Sequence, residues 1–286
     1  MENWKQTIIA TQRGNFEVFQ KGEGPPLCVT HHYSVFNETG DYYAEAFTKN
    51  HAVYLVNLRE AGQSEKFGEP YQLSMLETIF DLEAIREELR FVKWGFAGHS
   101  TGGMLGILYG MYFSESLSYL ILTGAAAREY ATFSKGCIYN PEHPKFERMQ
   151  NLIEQLKQEG IPVGKRKKLG EERTKLSLFR PEKYNEYFHE NITKSMSAAR
   201  MDFFNRELPI YDVTRKLHLI KAPVLILCGR HDVQCPLTYS IEMQEHIPGA
   251  HLVVFEESNH YPFLEEAELF DKELMKFLSM RRSTAI

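Results

Sequence analysis

The sequence is sparing with cysteine, and that excludes two classes at once. Its four cysteines stand at 28, 137, 228 and 235, and none of the spacings makes a C-x-x-C pair or a zinc cluster. Cys28 and Cys228 lie inside apolar runs, where cysteine behaves as a small buried hydrophobe. All four read as reduced thiols of a cytoplasmic protein. Long apolar runs are missing too: no stretch approaches the ~20 residues that a membrane helix needs. The N-terminal segment Met1-Glu2-Asn3-Trp4-Lys5-Gln6 lacks the apolar core of a signal peptide. The expectation is a cytoplasmic chain without a membrane partner. Positive charge is not in excess, with 33 Lys and Arg against 38 Asp and Glu. Phosphate contacts call for clustered cations, so no nucleic-acid partner is expected. The one basic run, Lys165-Arg166-Lys167-Lys168, is followed closely by Glu171 and Glu172 and reads as a solvated face. Repeats and low-complexity segments are also absent.

What is present is a rhythm. Residues 7–10 and 16–19 read as two strands around the turn Arg13-Gly14-Asn15. Residues 27–30 and 52–58 make two further apolar strands. Apolar residues at 75, 79, 82, 85 and 89 mark one face of a helix over 75–91. A strand over 94–98, a helix over 101–113 and a strand over 118–123 follow. After an interruption the pattern resumes with a strand at 224–228, a helix at 237–247, a strand at 251–255 and a closing helix at 263–277.

Strand–helix–strand alternation of this kind means crossover units and an α/β fold. The expected architecture is a mostly parallel sheet of about eight strands with helices on both faces. Residues 129–216 break the rhythm. They show no convincing strand and carry 17 Lys and Arg against 13 Asp and Glu. An insertion of that length exceeds an ordinary loop, and such insertions usually serve function. The expected organisation is a core of residues 1–128 and 217–286, with 129–216 as a helical cap or lid.

The strongest chemical signal is Gly98-His99-Ser100-Thr101-Gly102, a G-x-S-x-G run between a strand and a helix. A nucleophile at that turn stands exposed at the strand's carboxyl end. The flanking glycines keep side chains away from the sharp turn, and the helix N-terminus points its free N–H groups at the site. A serine hydroxyl needs a base and an oriented acid. His260, in Glu257-Ser258-Asn259-His260-Tyr261-Pro262, follows the last strand at the same sheet edge. Asp232, in Gly229-Arg230-His231-Asp232, follows the preceding strand at that edge. The order Ser100, Asp232, His260 suits a hydrolase of this topology. Asp212 is the nearest rival acid, but it lies in the insertion. The backbone N–H of Thr101 and that of Tyr33, in the loop Thr30-His31-His32-Tyr33-Ser34, are the expected oxyanion donors. The adjacent His31 and His32 have no evident third ligand and diverge in extended chain, so no metal and no cofactor are expected.

With these motifs in place, the chain resembles the α/β-hydrolase superfamily. Within it, the chain looks like the capped carboxylesterase and proline-iminopeptidase-like group. The likeness rests on Gly98 to Gly103, on Gly229-Arg230-His231-Asp232 with Pro236, and on Ser258-Asn259-His260 with Pro262. Asn57-Leu58-Arg59-Glu60-Ala61-Gly62-Gln63-Ser64 looks like the family's turn after its fourth strand, with Asn57 and Glu60 where Asp and Gly are common. His32 replaces the glycine that usually follows the histidine of the oxyanion loop. The Gly-Gly-Ser-Trp-Gly elbow and His-Gly-Gly-Pro-Gly loop of proline iminopeptidases are both missing. The resemblance therefore implies ester hydrolysis of a small molecule through an acyl-enzyme. Iminopeptidase or lactonase chemistry is the alternative.

Overall fold

The computed structural model describes residues 4–158, 160–189 and 191–282. Ten strands are present among them: β1 (Lys5–Thr11), β2 (Gly14–Lys21), β3 (Pro26–Val29), β4 (Ser34–Val35), β5 (Ala52–Val56), β6 (Trp94–His99), β7 (Leu117–Thr123), β8 (Ser195–Met196), β9 (Val224–Gly229) and β10 (His251–Phe255). The helices are α1 (Tyr42–Glu45), α2 (Met75–Glu88), α3 (Thr101–Tyr112), α4 (Phe146–Lys157), α5 (Val163–Lys175), α6 (Tyr184–Tyr187), α7 (Ala198–Glu207), α8 (Leu237–His246), α9 (Pro262–Glu265) and α10 (Ala267–Arg282).

Eight strands form one sheet in the order β1-β2-β5-β3-β6-β7-β9-β10. β1, β2 and β5 pair antiparallel and the rest are parallel. The central strands β6, β7 and β9 are buried almost throughout. That is why they read as near-continuous apolar runs rather than as alternations. Two apolar clusters cover the faces, one around Trp94, Phe96 and Leu105, the other around Phe47, Phe255 and Phe270. The carboxyl ends of β6, β9 and β10 open toward one edge, where Ser100, Asp232 and His260 follow directly.

Three elements differ from the sequence reading. α2 buries Met75, Ile79, Leu82 and Ile85 but ends at Glu88 rather than 91, because Arg90 turns left-handed at φ 58°. Its stop is secured by Arg86, which donates to the carbonyls of Phe91 and Val92 while pairing with Glu83. The closing helix is split into α9 and α10. At the break, Glu266 leaves helical geometry, with φ −132° and ψ 53°, and its carboxylate accepts from Ser258 Oγ and Glu257 N–H. The insertion also holds a strand that sequence alone does not reveal. The two-residue β8 pairs with β4, as Ser34–Met196 and Val35–Ser195.

That ladder is one of several ties between segment 193–207 and the core. Lys194 pairs with the buried carboxylate of Asp41 at 2.6 Å. Asn37 Nδ2 donates to the Thr193 carbonyl, and Ser197 N–H donates to the Tyr33 carbonyl. From α7, Glu207 accepts from Met75 N–H at the start of α2. Arg200 is fully buried and donates to the carbonyls of His32 and Arg59 and to Thr78 Oγ1. Burial lowers its pKa to about 9, which leaves it a cation at neutral pH.

Candidate active site

The turn after β6 carries the most constrained residue of the chain. Ser100 has φ 56° and ψ −122°, a region costly for any residue with a Cβ. The turn is held by Ser100 N–H donating to Thr123 O at 2.9 Å and by Gly103 N–H donating to Ser100 O. Two glycines make it possible. A Cβ on Gly98 would lie 2.2 Å from Gly102 O, and one on Gly102 would lie 2.3 Å from Thr30 O. Strand β6, helix α3 and the loop that begins at Thr30 therefore approach more closely than any side chain allows. Thr101 is the first residue of α3, so its N–H has no acceptor within the helix and faces the site.

Asp232 and His260 meet at the same sheet edge. Nδ1 of His260 lies 2.9 and 3.0 Å from the two carboxylate oxygens of Asp232, and both side chains are buried. A carboxylate accepts only, so Nδ1 carries the proton and the Nε2 lone pair is left for a substrate-side proton. Asp232 is oriented in turn by the N–H groups of Gln234 and Cys235, both donating to Oδ1. Gly124, at φ 54°, leaves room for the pair, since a Cβ there would lie 3.0 Å from Asp232 Oδ2 and 3.2 Å from His260 Nδ1.

The loop around His260 is fixed by groups that sequence reading did not single out. Glu265 accepts from the N–H groups of Asn259, Tyr261 and Phe179. Burial raises its pKa, and the three N–H donors oppose that. His260 N–H donates to the carbonyl of Ser177, from the insertion. His99, the variable residue of the elbow, donates from Nε2 to the His260 carbonyl at 2.7 Å and packs against the His260 ring. Its pKa is driven far down by burial and then by the nearby His260.

Tyr33 lies in a loop clamped from both sides. His31 sits between the hydroxyls of Ser34 and Thr101, each at 3.0 Å, which ties the 30–34 loop to the first residue of α3. Burial lowers its pKa to about 3. His32, standing where the family has glycine, is fully buried. Its Nδ1 accepts from Arg200, which also holds its carbonyl. The two histidines thus serve different partners. Further along, the Asn57 amide bonds both the N–H and the carbonyl of Phe36 and donates to Glu17. An aspartate there would face Glu17 with like charge, which accounts for Asn57. Glu60, the other departure, has φ 69°, the geometry that glycine ordinarily supplies. Asp212, the rival acid, accepts from Thr214 N–H and Oγ1 in a turn of its own.

The insertion brings a further cation to this region, besides Arg200 and Lys194. Arg173, on α5, is walled in by protein yet keeps part of its surface accessible. Its charge is felt at Tyr33, Tyr139 and Tyr261 and, less than that of Lys194, at His31. Tyr139 Oη accepts weakly from it at 3.5 Å and donates to Gln234 Oε1 at 2.8 Å. Gln234 also donates to Ser177 Oγ. Neither Arg173 nor Arg200 had a sequence signal, since a lone arginine in a polar helical segment reads as surface.

Residues 31–267 match the family model described as the alpha/beta hydrolase fold, and the chain belongs to that family. The structure is similar to an alpha/beta fold family hydrolase from Bacillus anthracis str. Sterne, with TM-score 0.91, 44% identity, and 95% of this chain and 98% of that one covered. It is also similar to an esterase from Exiguobacterium antarcticum, with TM-score 0.72, 25% identity, and 96% and 100% covered. Among curated proteins, the proline iminopeptidase PfmaB of Pestalotiopsis fici is 23% identical over 90% of this chain and 92% of its own. The protein is thus a hydrolase of the alpha/beta fold family, with esterases and iminopeptidases among its relatives. None of its described helices is long and apolar enough to cross a membrane.

Proposed function

We propose that the protein is a serine hydrolase that cleaves carboxylic esters of small molecules. The observation that carries this reading is the buried His260–Asp232 pair at the sheet edge where Ser100 stands on its strained turn. Ser100 Oγ attacks the ester carbonyl and His260 Nε2 takes its proton. The oxyanion lies between the N–H groups of Thr101 and Tyr33. His260 protonates the departing alcohol, then activates the water that frees the acid. Asp232 holds the ring in the required tautomer and stabilises the imidazolium. The chemistry needs no metal or organic cofactor. Residues 129–216 serve as the cap that roofs the pocket.

Release of N-terminal proline is the second reading, favoured by the likeness to PfmaB. Against it stands Arg173, since a cation linked through Tyr139 and Gln234 to Asp232 repels a substrate ammonium. The test is hydrolysis of short-chain p-nitrophenyl esters and of prolyl-arylamides by wild type and Ser100→Ala. Ester turnover that disappears in the folded variant supports the proposal. Turnover that survives in Ser100→Ala overturns it, and turnover of prolyl-arylamide alone favours the second reading.

A further inference from the structure

Every other enclosed arginine described above is matched. Arg59 pairs with Asp81 through Nε and Nη2, Arg86 pairs with Glu83, and Arg200 satisfies four acceptors. Arg173 differs. Among the described residues no carboxylate forms an ion pair with it, and its one hydrogen bond is the long contact to Tyr139 Oη. A guanidinium has five N–H donors in a fixed fork, and since Arg173 keeps part of its surface accessible, its unmatched donors stay open to water or to a ligand. Its neighbours are also those of the candidate catalytic groups. Tyr33 carries a proposed oxyanion donor, and Tyr261 follows His260. Tyr139 bonds Gln234, whose N–H bonds Asp232. Arg173 is therefore joined through Tyr139 and Gln234 to Asp232, with part of its surface open.

We propose that Arg173 is an anion subsite of this pocket, and that the substrate is an ester carrying a carboxylate away from the scissile bond. This rests on the ester-hydrolase reading above. The planar fork fits a carboxylate bidentately. One unmatched cation neutralises a monoanion, whereas a phosphate dianion brings a second charge, and the other cations of this region, Lys194 and Arg200, already have partners. Tyr261 stands near it as a donor to one of the carboxylate's remaining lone pairs, whereas the Tyr139 proton is taken by Gln234. Burial pushes the Tyr261 pKa up, so its hydroxyl keeps its proton at neutral pH. The recognition step is binding alone, and the bond broken is still the ester attacked by Ser100.

The test compares p-nitrophenyl monoesters of succinic, glutaric and adipic acids with neutral p-nitrophenyl esters of equal acyl length. In wild type, kcat/KM for the acid ester whose length spans Ser100 to Arg173 exceeds that of its neutral counterpart. In Arg173→Gln the acid-to-neutral ratio falls by roughly 100-fold, and Arg173→Lys restores part of it. A ratio near one in wild type at every length overturns the proposal. So does a parallel fall of both esters in a folded Arg173→Gln. Calorimetric binding of glutarate and of inorganic phosphate to Ser100→Ala, with and without Arg173→Gln, needs no turnover. Glutarate binding that depends on Arg173 supports the subsite even if the ester reading fails. Equal binding in both variants, or preference for phosphate, overturns the carboxylate assignment.

Discussion

Arg200 donates through Nε to the main-chain carbonyl of His32, one residue before the proposed oxyanion donor Tyr33. A buried cation from the insertion thus sets the path of a core loop. Removing it leaves the carbonyls of His32 and Arg59 and the hydroxyl of Thr78 without their donor. Arg200→Gln is expected to lose about 3 kcal/mol of stability, the scale for breaking a buried charged network. Its kcat should fall more than its KM rises, because the oxyanion contact is made in the transition state. Urea unfolding and steady-state kinetics read both quantities.

Asp232→Asn probes orientation rather than charge alone. The asparagine oxygen can keep the N–H bonds from Gln234 and Cys235, but then its amide faces His260 Nδ1 as a donor. The imidazole must then carry its proton on Nε2, the wrong nitrogen for a base. The expected outcome is an unchanged fold by circular dichroism and a kcat lower by about 10⁴.

Acid stability follows from three histidines. Burial holds the pKa values of His31, His32 and His99 below the ordinary histidine value, that of His31 near 3. The unfolded chain binds protons at these sites near pH 6.5, and the folded chain does not. Their contribution is therefore complete above pH 6.5 and is lost as pH falls toward the folded values. Each such proton adds about 1.4 kcal/mol per pH unit to the slope. Unfolding midpoints between pH 7.5 and 4.5 should fall steeply, and less steeply in a folded His32→Gln variant. A flat profile would contradict the neutral burial of these rings.

Glu265 provides a test of the base loop. Glu265→Ala removes the acceptor of three N–H groups, those of Phe179, Asn259 and Tyr261. Buried unsatisfied donors cost about 1–3 kcal/mol each, so a loss of about 3 kcal/mol or more is expected. Amide exchange of Asn259 and Tyr261 should accelerate, and kcat should fall with the mobility of His260.

The legible parts of the molecule were those in which local chemistry has one dominant reading. The core strands were visible because full burial demands apolar runs, and the 98–102 turn because only glycine tolerates its contacts. Asp232 and His260 were visible from chain order and sheet edge, and the structure joins them by a hydrogen bond. What stayed hidden depends on partners distant in sequence. Arg200 and Arg173 look like any polar helix residues until the loop at 32 or the tyrosines at 33, 139 and 261 are brought beside them. β8 is two residues long and carries no periodicity to detect. The split at Glu266 depends on Ser258 and Glu257, which donate to its carboxylate.

The ties of residues 177, 193–200 and 207 to the core have a consequence for engineering and for exchange between relatives. Excising the insertion would not leave a working enzyme with an open mouth. It would strip the carbonyl from above the His260 amide, the guanidinium from the His32 turn and the carboxylate from the first turn of α2. A foreign insertion grafted at the same boundaries must bring equivalents of Ser177, Arg200 and Glu207. The 193–207 segment is thus part of the frame on which the core loops rest.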